Sequence, residues 1–183
     1  QAFVYFCYAS LKLVNISLIV QVREILENWV FKTEIQIMEL KIKLVRTPRE
    51  QKNVLDIRRS VFIDEQQIPV EIEIDAFEES ANYVIAYFGE EAVGTARWRE
   101  IGNSVKLERF AVLKNYRNKG IGRKLTMFII DRIPQGRIIF LNSQESAIGF
   151  YSKLGFTSNG PMFKEANILH QKMIFPRKSS MKP

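Results

Sequence analysis

Cysteine and histidine are almost absent from this chain: among 183 residues there is one of each, Cys7 and His170. A single cysteine excludes an internal disulfide framework, and the pair is too small a set for a Cys/His zinc site, so no metal is expected. Glycine and proline are sparse as well, at 9 and 6, and no Gly/Pro-rich linker, repeat or low-complexity tract breaks up the chain. Cations are missing from residues 60–96, which hold nine acids and no Lys or Arg, and acids are missing between Glu108 and Asp131. Long apolar runs are also lacking. The most hydrophobic stretch, 3–22, is interrupted by Lys12, Asn15 and serines, and it has neither the cationic start nor the small-residue cleavage site of a leader. No membrane partner is expected, and the location expected is cytoplasmic.

What remains is the composition of an ordinary globular protein, 46% hydrophobic and 26% charged, with length enough for one domain and a substantial core. The chain opens on Gln1, and the pattern of a self-contained domain begins at Met38. Residues 1–37 are taken as an extension of unknown role, 38–176 as the domain and 177–183 as a basic tail. The net charge of +7 is uneven. Residues 1–59 carry ten Lys/Arg against six Asp/Glu, and residues 97–183 carry seventeen against five. A basic chain suggests nucleic acid, but aromatic residues do not interleave with this basic cluster, so no nucleic-acid partner is expected.

Local patterns define the elements. Leu40 to Arg46 alternates apolar and cationic residues, as a half-buried strand does. Thr47-Pro48 reads as a helix N-cap followed by proline at the first helical position, and Val54, Ile57, Val61 and Phe62 fall on one face of the helix that follows. The acidic block 70–80 reads as a short irregular or helical lid. Tyr83 to Phe88 and Ala92 to Arg99 read as a hairpin around Gly89-Glu90-Glu91, and Val105 to Leu113 as the next strand. Ile138 to Leu141 is a short buried strand. Asn142 or Ser143 then caps a helix over Glu145 to Leu154, which Gly155 stops. Phe156, the segment around Met162-Phe163 and Ile168 to Phe175 close the chain as strands. The fold class is α/β with a mixed sheet.

One stretch organises the rest, Phe110 to Thr126. An apolar strand runs into a polar turn, and Gly120-Ile121-Gly122 opens a helix with Ile121, Leu125, Phe128, Ile129 and Ile130 at helical spacing. Arg117, Lys119, Arg123 and Lys124 crowd the start of this helix, where cations oppose the dipole by about 0.3–1 kcal/mol each. A phosphate there would reverse the sign, because the free N–H groups of a helix start bind anions and glycine lets the backbone come close. A P-loop would need GxxxxGK[ST], and a dinucleotide fingerprint would need a third glycine where Leu125 stands. Neither is present. What fits is R-x-x-G-x-G: Arg117, Asn118, Lys119, Gly120, Ile121, Gly122.

With the strand before it, this motif resembles the acetyl-CoA pyrophosphate loop of the GNAT superfamily of N-acyltransferases. The resemblance extends over about Met38 to Phe175, in element order and in AIGFYSKLGF, Ala147 to Phe156. The segments VFIDEQQIP, ERFAV and KEANILHQKM are most similar to the YjcF-like branch. It implies the GNAT fold and direct acetyl transfer from acetyl-CoA to an amine. It also implies cofactor contacts along Phe110, Ala111 and Val112 and over Arg117 to Lys124, including Asn118 and Ile121, with Asn142 across the gap. Val112's backbone would polarise the thioester carbonyl, and Tyr151 would protonate the leaving thiolate.

Glu108, two residues before Phe110 and taken as sharing its strand face, is the candidate base through a water chain. Pairing with Arg97, Arg99 or Arg109 is the plainer reading of Glu108, as core packing is of Tyr151. Arg97, Glu165 and His170 are substrate-side candidates, with a purely structural role open for the histidine. A basic cofactor pocket beside an acidic mouth for a small cationic amine accounts for the split charge; two solvated faces would do so too. A protein N-terminus or lysine as acceptor, a CoA-binding module without turnover, and a homodimer all stay open.

Overall fold

The computed structural model describes residues 18, 20–26 and 39–177. The chain divides into two units, 1–39 and 40–183. In the first, residues 20–26 are helical and exposed; the other expectations for 1–37, and those for 178–183, fall outside the described residues.

The second unit is one seven-stranded sheet in the order β1-β2-β3-β4-β5-β7-β6. Its strands are β1 (Leu40–Leu44), β2 (Asn82–Phe88), β3 (Glu91–Ile101), β4 (Ser104–Val112), β5 (Ile138–Gln144), β6 (Thr157–Glu165) and β7 (Ile168–Phe175). Among the registered strand pairs only β4 with β5 is parallel, and a parallel neighbour needs a crossover. The helix α3 (Ile121–Ile130) lies in that crossover; α1 (Pro48–Arg58) and α2 (Val70–Glu73) precede β2, and α4 (Ile148–Lys153) follows β5.

Both faces of the sheet are covered, which is why β2 reads as a near-continuous apolar run. Val84 and Ala86 pack on one face with Ile121, Leu125 and Ile129 of α3. Tyr83 and Ile85 pack on the other with Val54 and Ile57 of α1. Each such aliphatic side chain contributes about 1.5–3 kcal/mol by burial.

Helix α1 starts as its sequence predicts. The Thr47 hydroxyl accepts the Glu50 N–H at 3.2 Å, and the Glu50 carboxylate accepts the Thr47 N–H at 3.1 Å, a capping box. Lys43 Nζ at 2.5 Å and the Arg46 N–H hold the Glu50 carboxyl down at about 2. Past Arg58 the helix continues without a break as a π-helical turn, Arg59–Glu65. That widening keeps Val61 and Phe62 on the buried side with Val54 and Ile57, and such turns are frequent at functional sites.

Two sequence expectations change. Asn142 and Ser143 remain in β5 rather than capping a helix. The helix after them is a 3₁₀ turn, Glu145–Ala147, and then the short α4. The larger change is in β4. Arg97 pairs with Glu108 but Thr95 with Ala111, so β4 holds one extra residue between them, a bulge. Arg109 sits there at φ +55. Glu108 and Phe110 therefore lie on opposite faces: Phe110 and Val112 join the α3 side with Val105 and Leu107, while Ala111 packs on the α1 side.

Candidate active site

The bulge opens the sheet. Pairing of β4 with β5 runs from Ser104↔Ile138 to Leu107↔Leu141 and stops there. Beyond that point Leu113 N–H still donates to Val93 O of β3 at 2.9 Å. Strand alternation then turns the N–H groups of Phe110 and Val112 away from β3, toward the gap. Ala111 is turned the other way, in register with Thr95. The gap is a cleft of about 170 Å³ whose lining includes Phe62, Gln66, Glu108, Phe110, Asn142, Tyr151, Glu165 and His170. It brings together Tyr151, Glu108, Phe110, Asn142, Glu165 and His170 of the expected site residues; Arg97 does not line it.

The glycine turn lies at the end of β4. Gly120, the N-cap of α3, has φ +76 and supplies no side-chain cap, and a Cβ there would meet nothing within 4 Å. The first backbone bond of the helix is Lys124 N–H to Gly120 O at 3.1 Å, and the first turn holds no acid. Asn118, also left-handed at φ +62, Lys119, Arg123 and Lys124 are all exposed, and Lys119 Nζ lies 4.9 Å from the centre of the Tyr116 ring.

Two details depart from the sequence expectation. Arg117 is not a free cation: its Nε donates to Val112 O at 3.0 Å and its two Nη atoms to the Glu65 carboxylate at 2.6 Å each. The glycine turn is thus tied to the end of the π-helical turn. A Cβ on Gly122 would meet the Phe150 ring at 3.3 Å, so α3 and α4 approach closely there.

Tyr151 rises from α4 into a ring of edge-on aromatics: Phe110 at 5.9 Å, Phe150 at 4.9 Å and Phe156 at 5.6 Å between centroids. The residue is buried, and burial pushes its phenol well above the usual value. Its hydroxyl has no hydrogen-bond partner among the described residues, although the residue lines the cleft. The hydroxyl therefore opens onto the cleft, where it is a donor available to whatever enters. Across the gap Asn142 Nδ2 contacts Glu165 Oε2 at 3.5 Å, a distance too long for a strong bond.

Three acids of the acidic block turn inward onto arginines, while Glu71 and Glu79 are exposed. Glu73 contacts the Arg58 and Arg109 guanidiniums, Asp75 those of Arg97 and Arg109, and Glu78 those of Arg58 and Arg97. Glu108 belongs to the same network. It lies 2.9 Å from Arg97 and 3.2 Å from Lys106, and accepts from Arg99 Nε at 2.5 Å. Burial would raise its carboxyl, but the Arg99 hydrogen bond and the charges of Arg97 and Lys106 hold it below the usual carboxylate range. Arg97 is wholly buried as a hub of this network.

On the far wall, the β6–β7 hairpin closes through Ala166 and Asn167 at φ +48 and +63, the backbone of a two-residue primed turn. Phe163 stands opposite His170 and Glu165 opposite Ile168, so all four side chains share one face. Gln144 Nε2 donates to Gln66 Oε1 at 3.0 Å, joining β5 to the residue after the π-helical turn. Gln66 and Gln144 were not singled out from the sequence, and Arg109 was weighed only as a partner of Glu108, not as a bulge. The signal for Arg109 was there: apolar residues at 105 and 107 resume at 110 and 112, a slip of one position.

A split parallel pair, an open strand edge and an uncapped helix start define an acyl-CoA N-acyltransferase fold, and the comparisons agree. The model of the acetyltransferase (GNAT) domain family matches residues 46–176. The chain belongs to that family. Within it the chain falls in the YjcF-like branch: the N-acetyltransferase YjcF of Bacillus subtilis is 33% identical over 138 residues, covering 74% of this chain and 99% of that one. An acyl-CoA N-acyltransferase from Pseudomonas aeruginosa superposes with a TM-score of 0.69 at 20% identity, covering 75% and 100% of the two chains. The PaiA N-acetyltransferase from Thermoplasma acidophilum, solved in complex with coenzyme A, superposes at 0.55 with 15% identity and the same coverage.

Proposed function

We propose that this acetyltransferase moves an acetyl group directly from acetyl-CoA to a small cationic amine. The observation that carries the reading is the open edge of β4, which leads from beside the Tyr151 ring to the acid-free start of α3. Acetyl-CoA fits this track. Phe110 and Val112 can pair with the amides of its pantetheine arm, and Asn142 can bond the arm from β5. The N–H groups at the Gly120–Gly122 start of α3, with the charges of Lys119, Arg123 and Lys124, suit its pyrophosphate. Space for close approach exists at Gly120, where a side chain would project into the opening. Arg117 supports this loop through Glu65 and Val112 O.

Bound there, acetyl-CoA supplies an activated carbonyl and a thiolate leaving group. The Val112 N–H suits the carbonyl oxygen, and the Tyr151 hydroxyl is the donor available to the sulfur. Glu108, held by three cations, braces the floor of the cleft. A cationic acceptor is favoured by Glu165, whose carboxylate makes a single weak contact, to Asn142, among the described residues, and a small one by the cleft volume of about 170 Å³. Thiol release from acetyl-CoA, screened over a panel of small amines, tests the reading. Binding of acetyl-CoA with no amine-dependent thiol release would overturn it.

A further inference from the structure

We propose that His170 is the base that takes the proton of the attacking amine, an assignment that rests on the N-acetyltransferase reading above. His170 Nδ1 lies 2.8 Å from the Ile168 carbonyl oxygen. A carbonyl only accepts, so Nδ1 carries the hydrogen, and in the neutral ring Nε2 keeps its lone pair. The ring is stacked on Phe163 at 6.0 Å and 24° and is 9% exposed. Nε2 has no hydrogen-bond partner among the described residues, and His170 lines the cleft. A buried imidazole fixed in one tautomer, with its basic nitrogen unclaimed, is set up to receive a proton.

The faces of the sheet support the same role. Leu141 and Met173 stand opposite each other in β5 and β7 and pack on the α3 side, as does Tyr151. Alternation puts Gln144 and its partner His170 on the α1 side. Acid and base thus flank the gap from opposite faces, so the group that serves the amine and the group that serves the sulfur occupy separate positions. The charged and titratable groups that share the cleft with His170 are Glu73 of α2, Lys106, Glu108 and Arg109 of β4, Tyr151 of α4 and Glu165 of β6. Glu73 and Glu108 are paired with arginines. Glu165, diagonal to His170 on the hairpin, is placed to attract the ammonium form of the acceptor. The ammonium gives one proton to Nε2, which passes it to solvent, and the neutral amine then attacks the carbonyl. As the N–C bond forms the adduct loses its second N–H proton to solvent, and as the C–S bond breaks the sulfur takes the Tyr151 proton, which solvent restores, so one proton is released overall.

The test follows single-turnover thiol release from acetyl-CoA with two probe amines, n-butylamine, protonated at about pH 7, and methoxyamine, neutral there. His170→Gln is expected to slow transfer to n-butylamine by about 10²–10⁴-fold, with the deficit shrinking as pH rises. The methoxyamine rate should change by less than about threefold, and acetyl-CoA affinity should hold. Equal losses with both amines, or an undiminished n-butylamine rate, overturn the assignment while the wild-type reaction stands. A wild-type protein that binds acetyl-CoA and transfers to neither amine overturns the transferase reading, and the base with it. Should His170→Gln not fold, the ¹⁵N spectrum of the chain's one imidazole decides: a neutral ring protonated at Nδ1 is required, and the Nε2–H tautomer refutes the proposal.

Discussion

Replacing Tyr151 with phenylalanine removes one oxygen and leaves the ring. The three edge-on contacts with Phe110, Phe150 and Phe156 are ring contacts and survive. The hydroxyl has no protein partner among the described residues, so no internal hydrogen bond is lost. A fully buried unpaired hydroxyl would cost about 1–3 kcal/mol on mutational scales, but this one opens onto the cleft and carries only a part of that. Tyr151→Phe should therefore leave stability unchanged or raise it by up to about 1 kcal/mol, a Tm change of no more than about 2–4 °C for a chain of this size. Catalysis should behave differently. Burial keeps the phenol protonated across the accessible pH range, and the same desolvation makes the departing thiolate more eager for a proton. Loss of this donor should lower kcat by at least about tenfold, toward the 10²–10⁴ typical of general acids. Acetyl-CoA affinity should change little, and the ratio to wild type should stay level from about pH 6 to 9. Steady-state thiol release beside calorimetry and a thermal melt reads all three. Full turnover in the variant would refute the acid role, and a Tm drop of many degrees would show that Tyr151 serves packing instead.

Other perturbations follow from the charge network and the glycine turn. Arg97→Met removes one partner at once from Asp75, Glu78 and Glu108, and breaking such a buried pair costs about 3–5 kcal/mol; urea unfolding should show it, and a loss under about 1 kcal/mol would mean that the remaining cations suffice. Asp75 is raised by burial but pulled down further by Arg97 and the Phe77 N–H, to about 2, and Glu50 also stands at about 2. Their folded values lie below the unfolded ones, so both add stability above about pH 4.5 that is lost as pH falls toward 2; Glu73, raised by burial, works in the opposite sense. Tm should fall through that window, and a flat profile down to about pH 2 would contradict the pairing. Gly120→Val places a branched residue at φ +76, at about 1–2 kcal/mol, and a side chain in the open approach to α3. Acetyl-CoA affinity should drop by at least about tenfold, and wild-type affinity in a folded variant would remove the turn from the cofactor site.

The parts legible in the sequence were those governed by near neighbours. Thr47, Pro48 and Glu50 make a capping box through groups three residues apart. The helix start at Gly120–Gly122 and the hairpin at Gly89 depend on local backbone freedom, and the β2 run on two-sided burial. Charge partners were not legible. The acidic stretch 70–80 could have faced solvent or substrate; only folding sets it against Arg58, Arg97 and Arg109, because ion pairs depend on distances between residues at least 15 positions apart, as Arg58 is from Glu73 and Arg109 from Asp75. The face of Glu108 turned on a single bulge at Arg109, since a one-residue slip in a strand flips every side chain beyond it. The roles of Arg117 and His170 depended likewise on Glu65, Val112 O and Ile168 O. The sequence alone determined where a polyanion could lie and which family pattern it matched. Which charges are spent on each other, and which groups stay free to act, was decided by tertiary contact, because a hydrogen bond is claimed or left open only when its partner arrives.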